Sequence, residues 1–286
     1  YGVDINGEFQ LAELLRRLAA VDGVEWIRLL YAYPAYLTDE MIAAIAELPE
    51  VVNYIDIPLQ HISDNMLRHM GRRMMETKTR DLLERMRAKI PGLMLRTTFI
   101  VGFPGEDDKE FGILRDFIRD FEFERMGVFP YSKEEGTPSA EFEGEIPQEV
   151  IDERLEELML VQQEIAFRHN QERIGEVTEV LIDSAEQEQA DPMGGAPFKA
   201  AIARSYGESP EIDPVIFISP PGGAACEEER PAAMPEGVKD LSFETPAPPP
   251  PAIGERRTVE IIGSRGYDLI ATIAGSEDHE RKDAGR

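Results

Sequence analysis

The first half of the chain alternates apolar runs with amphipathic segments. The clearest example is residues 93–106, Leu-Met-Leu-Arg-Thr-Thr-Phe-Ile-Val-Gly-Phe-Pro-Gly-Glu, where a β-branched and aromatic run ends at glycines and a proline. Apolar side chains then recur at helical spacing, at Phe111, Leu114, Phe117, Ile118 and Phe121. This pattern predicts a strand buried on both faces of a parallel sheet, a glycine turn, an acidic helix cap at Asp107 and Asp108, and a helix.

The same strand-then-helix pattern repeats through residues 1–146. Strands are predicted at about residues 26–33, 51–59, 93–101 and 123–131, with segments long enough for a helix between them. Such repeats make a parallel sheet or a barrel, so the fold class is α/β. Four strands do not complete an eight-stranded barrel.

The second half changes from helical to alternating periodicity. An amphipathic helix is predicted at 147–174, either as a connector between domains or as the last helix of the first one. Five short strands within residues 175–275 then predict a small antiparallel β-barrel. A Pro-, Ala- and Glu-rich insertion at 220–254 and a charged tail at 276–286 interrupt and follow this barrel.

The composition narrows the choice of partners and compartment. Among 286 residues, 56 are acidic and 30 are lysine or arginine, which gives a formal net charge of −26. Such a chain repels phosphate backbones, so we expect a basic partner rather than nucleic acid, although solubility alone also explains the charge. No apolar run approaches the ~20 residues that a membrane span needs, and no signal peptide is visible, so the sequence predicts a cytoplasmic protein.

Polar residues follow three of the predicted strands. They lie at residues 31–34, at Gln60, His61 and Ser63 with Arg72 further on, and at residues 102–106. Because the carboxyl ends of parallel strands meet at one face, we expect these segments to converge on a site. His61 fits either an acid–base role or a structural one, and its place beside a turn favours the structural role.

The glycines and histidines leave further alternatives. Gly102 and Gly105 allow close approach of a ligand to the backbone, or they only form a turn beside a solvated Glu106. The histidines do not pair at metal-ligand spacing, so we predict no metal site among these residues. The single cysteine, Cys226, excludes a disulfide framework or a cysteine cluster within the chain.

Several motifs, in this order, resemble the radical-SAM methylthiotransferases. They are residues 56–63 (Asp-Ile-Pro-Leu-Gln-His-Ile-Ser), 70–72 (Met-Gly-Arg), 96–106, and 128–138 (Val-Phe-Pro-Tyr-Ser-Lys-Glu-Glu-Gly-Thr-Pro). Residues 202–206, 209–213 and 266–269 resemble the family's TRAM domain. The resemblance covers nearly the whole chain except the insertion and the tail. The sequence Pro-Leu-Gln-His, which ends at His61, resembles the corresponding motif in the branch of the family that modifies a ribosomal protein.

The resemblance implies a partial radical-SAM (β/α) barrel that lacks its first strands, followed by TRAM. It implies S-adenosylmethionine as cofactor, with Gln60 and Arg72 on its polar parts. Ile100 and Gly102 would lie against its adenine, and Phe129 would pack on the same base. The family also carries two 4Fe–4S clusters held by cysteines that this sequence lacks. We therefore expect a C-terminal fragment that is inactive by itself.

The implied reaction is methylthiolation of an aspartate β-carbon in the twelfth small-subunit ribosomal protein. From Gly175 onward acidic residues outnumber basic ones, which favours a basic ribosomal protein over tRNA as the partner. Two alternatives remain open at this point. One is a fragment from the family's tRNA-modifying branch, and the other is a non-catalytic acidic module that binds a basic protein.

Overall fold

The computed structural model describes residues 2–3, 7–219 and 250–274. The chain divides into two compact units, Tyr1–Ala166 and Phe167–Arg286. Most of the predicted insertion at 220–254, with Cys226, and the predicted tail at 276–286 lie outside the described residues. In the part of the chain that the structure describes, no helix combines the length and apolar character that a membrane crossing requires.

The first unit is an α/β sheet, as the alternating pattern predicts. Its strands are parallel and lie in the order β1-β2-β3-β4: β1 Ile27–Leu29, β2 Val51–Asp56, β3 Met94–Val101 and β4 Arg125–Pro130. The helices are α1 Leu11–Ala19, α2 Asp39–Glu47, α3 Asp64–His69, α4 Glu76–Lys89, α5 Asp108–Phe121 and α6 Gln148–Glu172. Apolar side chains of α6, including Ile151, Leu158 and Ile165, belong to the core of this unit.

Short polar side chains cap the N-termini of three of these helices. Thr38 accepts the Met41 N–H at 3.3 Å, and Ser63 accepts the Asn65 N–H at 3.2 Å. Asp107 accepts the Glu110 N–H at 2.9 Å and caps α5, as its sequence position predicts. Each cap satisfies an N–H group that has no partner within its own helix, and so each fixes where a helix starts.

The first two strands end earlier than the apolar runs predict. Tyr31 has φ +57°, and its N–H donates to Asp56 Oδ2 at 3.2 Å, so β1 stops at Leu29 rather than reaching residue 33. The second strand ends at Asp56, ahead of Pro58, which cannot donate to a strand ladder. Apolar residues continue past both ends because they pack into the core without strand geometry.

The prediction that the third strand is buried on both faces is wrong. Burial alternates along β3: Thr97, Phe99 and Val101 are fully buried, whereas residues 96, 98 and 100 are partly exposed. The Phe99 ring lies 6.3 Å from that of Phe117 on α5, so the buried side faces the helices. We call the side that bears Arg96, Thr98 and Ile100 the open face.

The second unit is a closed five-stranded barrel. Its strands are β5 Val177–Gln189, β6 Phe198–Arg204, β7 Ile216–Ile218, β8 Arg256–Arg265 and β9 Asp268–Ile273. They close in the order β5-β6-β7-β9-β8, which confirms the predicted barrel. One pair, β7 with β9, is parallel, so the barrel is not wholly antiparallel. The Asn170 amide donates to the carbonyls of Gly266 and Tyr267, at 3.2 and 3.0 Å, and anchors the turn between β8 and β9.

Candidate functional site at the carboxyl edge of the sheet

The parallel strands place most of the predicted site residues along one edge of the first unit. Gln60 follows β2, Gly102 follows β3, and Phe129 lies at the end of β4. The three strands that carry or precede these residues, β2, β3 and β4, are adjacent in the sheet. This is the edge at which α/β proteins commonly bind ligands, outside the carboxyl ends of the strands.

Gln60 continues the pairing of β2 with β3 after the break at Pro58. Its N–H donates to the Thr98 carbonyl and its carbonyl accepts the Ile100 N–H, both at 2.8 Å. Gln60 has φ +72°, a left-handed conformation that costs a non-glycine residue about 1–2 kcal/mol. Strained residues of this kind concentrate at functional sites, where the surrounding structure holds them in place.

Ile100 and Phe129 form an apolar surface on the open face. They are paired in the register of β3 and β4, so both side chains project from the same side of the sheet. Phe129 is 55% exposed, so this aromatic ring at the end of β4, the edge strand of the described sheet, faces solvent. A flat apolar surface at a strand end has the shape and chemistry to receive a heteroaromatic base.

Gly102 is required by its conformation and by the packing of α6. It has φ +77°, and a Cβ added there would lie 2.5 Å from Cγ1 of Ile151. A helix therefore occupies the place of the missing side chain. Gly105 has φ +85°, and nothing lies within 4 Å of the position that a Cβ would take there. Its N–H donates to the Gly144 carbonyl at 2.9 Å.

Arg72 lies on the opposite flank of Gln60 from Phe129. It follows α3, and its guanidinium carbon stands 5.5 Å from the centroid of the Tyr33 ring. Both residues line a small pocket that Leu59 and His61 also line. The structure thus places Gln60, Ile100 and Phe129 along one edge of the sheet, with Arg72 in a pocket lined by the residues on either side of Gln60.

A buried polar network lies directly behind this edge. Glu106 and His61 are both fully buried, so the alternative in which Glu106 is a solvated acid is wrong. Glu106 Oε1 lies 2.9 Å from Nη1 of Arg154, and Oε2 accepts the Gly102 N–H at 3.1 Å. The His61 Nδ1 accepts the Ser63 N–H at 3.0 Å, so the proton of the neutral ring is on Nε2, 3.8 Å from Glu106 Oε2.

Burial shifts the pKa values of His61 and Glu106 in opposite directions. It lowers the pKa of His61 to about 3, with the Arg154 charge adding to the effect. It raises the pKa of Glu106 to about 7, although the Gly102 N–H and Arg154 act in the opposite sense. His61 is consequently a neutral hydrogen-bonding group near neutral pH, which agrees with the structural role that its position favours.

These shifts predict how Glu106→Gln changes the pH dependence of stability. The stability that follows from the raised pKa of Glu106 is present below pH 4.5 and is lost as the pH rises through about 7. The stability that follows from the lowered pKa of His61 is present above pH 6.5 and is lost as the pH falls toward about 3. Between pH 4.5 and 6.5 the two effects offset each other.

We therefore expect Glu106→Gln to gain about 1.4 kcal/mol of stability per pH unit across that window, while the wild type changes little. Fluorescence of Trp26, the single tryptophan, reports urea unfolding of the first unit. His61→Asn is the matched control and should show the reverse slope, with stability falling as the pH rises. Parallel curves for the wild type and Glu106→Gln would contradict the assignment.

Two features of the site are missing from the sequence-based prediction. Asp56 is buried and its Oδ1 lies 3.0 Å from Nη1 of Arg96, which places an ion pair on the same face of the sheet as Ile100. Arg96 and Ile100 lie an even number of positions apart along a strand, so they lie on the same face of the sheet. This spacing is the signal that could have placed Arg96 on the open face. Arg154 gives no such signal, because it is separated from Glu106 by 48 residues.

Comparisons with known proteins agree with this architecture. The model of the Radical SAM superfamily matches residues 1–118, and the TRAM domain model matches residues 174–274. The fold and these two family models together define a radical-SAM protein with a TRAM domain.

Curated relatives narrow the assignment. The ribosomal protein uS12 methylthiotransferase RimO of Acetivibrio thermocellus is 42% identical over 273 residues, covering 96% of this chain and 52% of the relative. Those of Anaeromyxobacter sp. (strain K) and Trichormus variabilis are 41% and 46% identical, covering 97% and 76% of this chain and 51% and 47% of each relative. The chain belongs to the radical-SAM methylthiotransferase family, as its motifs indicate. It spans about half the length of the curated relatives it matches.

Proposed function

We propose that this chain is the cofactor-orienting and substrate-docking portion of a methylthiotransferase that modifies an aspartate β-carbon of ribosomal protein uS12. The observation that carries the proposal is the exposed apolar surface of Ile100 and Phe129, beside Gln60 at the carboxyl edge of the sheet. The relatives that match nearly the whole chain are named as uS12 methylthiotransferases, which supports the choice of substrate.

The residues at this edge fit S-adenosylmethionine. Ile100 and Phe129 offer an apolar surface to adenine, and the strand end at Gly102 borders it. The Gln60 amide can hydrogen-bond ribose hydroxyls, and the Arg72 guanidinium can bind the carboxylate. When bound, the cofactor supplies the radical and methyl-transfer chemistry, and the protein supplies its position.

The 4Fe–4S clusters of the family do not fit the residues of this chain. Clusters of this kind are held by several cysteine thiolates, and the sequence contains only Cys226. Within the described ranges, no group of three or more histidine, cysteine or acidic side chains is arranged to hold a metal ion. We assign no cluster ligand here and expect the isolated chain to be inactive.

The charge near the site supports a basic protein substrate. Residues 132–147 connect β4 to α6 and are tied to the same edge by the bond from the Gly105 N–H to the Gly144 carbonyl. This segment carries exposed acidic side chains at Glu134, Glu135, Glu141, Glu143 and Glu145. Negative charge there steers a basic protein toward the site and repels the tRNA backbone.

A chimeric enzyme tests the proposed function. The corresponding half of the A. thermocellus relative is replaced by this chain in a host without its own uS12 methylthiotransferase. Mass spectrometry of uS12 is expected to show a methylthio group on one aspartate, and Phe129→Ala is expected to reduce the modified fraction. Unmodified uS12 beside a functional A. thermocellus control would contradict the proposal, as would methylthiolated tRNA nucleosides in place of modified uS12.

A further inference from the structure

Arg154 is a buried cation on α6 that holds the end of the loop after β3. Its side chain is 7% exposed, and its Nη1 donates to both Oε1 and the carbonyl of Glu106, at 2.9 and 2.8 Å. Its Nη2 donates to Asp108 at 2.8 Å, and its guanidinium lies 5.1 Å from the Phe111 ring centroid. The planar guanidinium therefore fixes two successive parts of the turn at once, which a lysine cannot do.

Glu106 passes this constraint on to the strand end. Its second carboxylate oxygen accepts the Gly102 N–H, so the same side chain is held by Arg154 and holds Gly102. Ile151, one helical turn before Arg154 on α6, packs where a side chain of Gly102 would be. One face of α6 thus contacts the loop at both of its ends, residues 102 and 106.

The network also reaches the loop after β2. The Nε2 of His61, next to Gln60, lies 3.8 Å from Glu106 Oε2, and Ser63 hydrogen-bonds to Glu110 on α5. Both loops that border the Ile100–Phe129 surface are therefore anchored to one buried cluster. Removing the Arg154 side chain takes away the cation that holds Glu106 at both its Oε1 and its carbonyl.

We propose that Arg154 is a positioning residue, which acts through Glu106 to set the Gly102–Glu106 loop and thereby the nucleoside-binding edge. The inference rests on the proposed function for the identity of the ligand. It assigns α6 a role in the affinity of the open face for its ligand.

The test compares three single variants and one double variant of the full 286-residue chain. Arg154→Met removes the cation, and Arg154→Lys keeps the charge without the planar fork. The control is Arg115→Met, because Arg115 also joins α5 to α6, through Glu157 at 3.3 Å, but away from the loop. Isothermal titration calorimetry measures binding of S-adenosylhomocysteine, which needs no cluster for its nucleoside contacts, and NMR measures hydrogen exchange of the Gly102 amide.

Arg154→Met is expected to weaken binding about tenfold and to speed Gly102 exchange about tenfold, with Arg115→Met unchanged. Adding Glu106→Gln to Arg154→Met should restore both, because the glutamine oxygen still accepts the Gly102 N–H without needing a counter-charge. A role of Arg154 in packing alone predicts no such rescue. If Arg154→Met does not fold, Arg154→Lys decides: weaker binding at an unchanged melting temperature supports the inference.

Other outcomes separate this inference from the proposed function. Equal affinity and equal Gly102 exchange in the wild type and Arg154→Met, or unchanged binding by Arg154→Lys where Arg154→Met does not fold, would overturn the positioning role while leaving the nucleoside site in place. A wild type that does not bind S-adenosylhomocysteine would contradict the nucleoside site. Gly102 exchange would then decide by itself whether Arg154 positions the loop.

Discussion

Gly102→Ala is expected to lower the free energy of unfolding of the first unit by about 2–4 kcal/mol. Two costs add together here. A non-glycine residue at φ +77° costs about 1–2 kcal/mol, and the new Cβ would lie 2.5 Å from Ile151 Cγ1, a clash that α6 must relieve by moving. Urea unfolding followed by the fluorescence of Trp26 measures the loss.

Gly112 provides the matched control for this substitution. It lies in α5, and nothing is within 4 Å of the position that a Cβ would take. Alanine is the better helix former, so Gly112→Ala should raise stability by about 0.5–1 kcal/mol. The same substitution thus changes stability in opposite directions at two sites ten residues apart along the chain. A Gly102→Ala variant as stable as the wild type would show that α6 does not close against the loop.

Phe99→Ala is expected to cost about 3–5 kcal/mol of stability, whereas Phe129→Ala should cost less than about 0.5 kcal/mol. Phe99 is fully buried against Phe117 and Phe123, with ring centroids 6.3 and 5.9 Å away. Phe129 is 55% exposed on the open face. The two substitutions remove the same type of side chain, one from the buried side of β3 and the other from the open face at β4.

Ligand binding should show the reverse order. Phe129→Ala removes the surface proposed for adenine and should weaken S-adenosylhomocysteine binding about tenfold, within the range of base–aromatic stacking energies. Calorimetry on the folded variant measures this loss, with Ile113→Ala as a control for an apolar residue of α5 that packs against the core. Unchanged affinity of Phe129→Ala, or a loss of stability comparable to that of Phe99→Ala, would contradict the division of the sheet into a buried side that packs on the helices and an open face that binds the ligand.

Periodicity in the sequence predicted the two units and most of their helices and strands. Helical and alternating patterns are local, so they indicated the α/β unit, the Asp107 cap and the five barrel strands. Resemblance of motifs then predicted the family. The strand boundaries were less predictable, because Tyr31 and Gln60 adopt left-handed conformations that depend on hydrogen bonds to neighbouring strands.

Contacts between distant segments could not be predicted from these patterns. The sequence leaves open whether Glu106 is a solvated acid, because its buried partner Arg154 is 48 residues away along the chain. The parallel pairing of β7 with β9 likewise depends on how the barrel closes rather than on the sequence of either strand. The partly exposed face of β3 could have been predicted, because Arg96 and Thr98 are polar and lie two residues apart in a strand. The structure places them on that face and buries Thr97 and Phe99 on the other.

The most direct test of the account is to map nucleoside binding on the chain by NMR. Titration with S-adenosylhomocysteine should shift the backbone resonances of Gln60, Ile100, Gly102 and Phe129, and should leave those of the β5–β9 barrel unchanged. Shifts confined to the barrel, or an absence of shifts at saturating ligand, would contradict the claim that the carboxyl edge of the four-stranded sheet is the cofactor site.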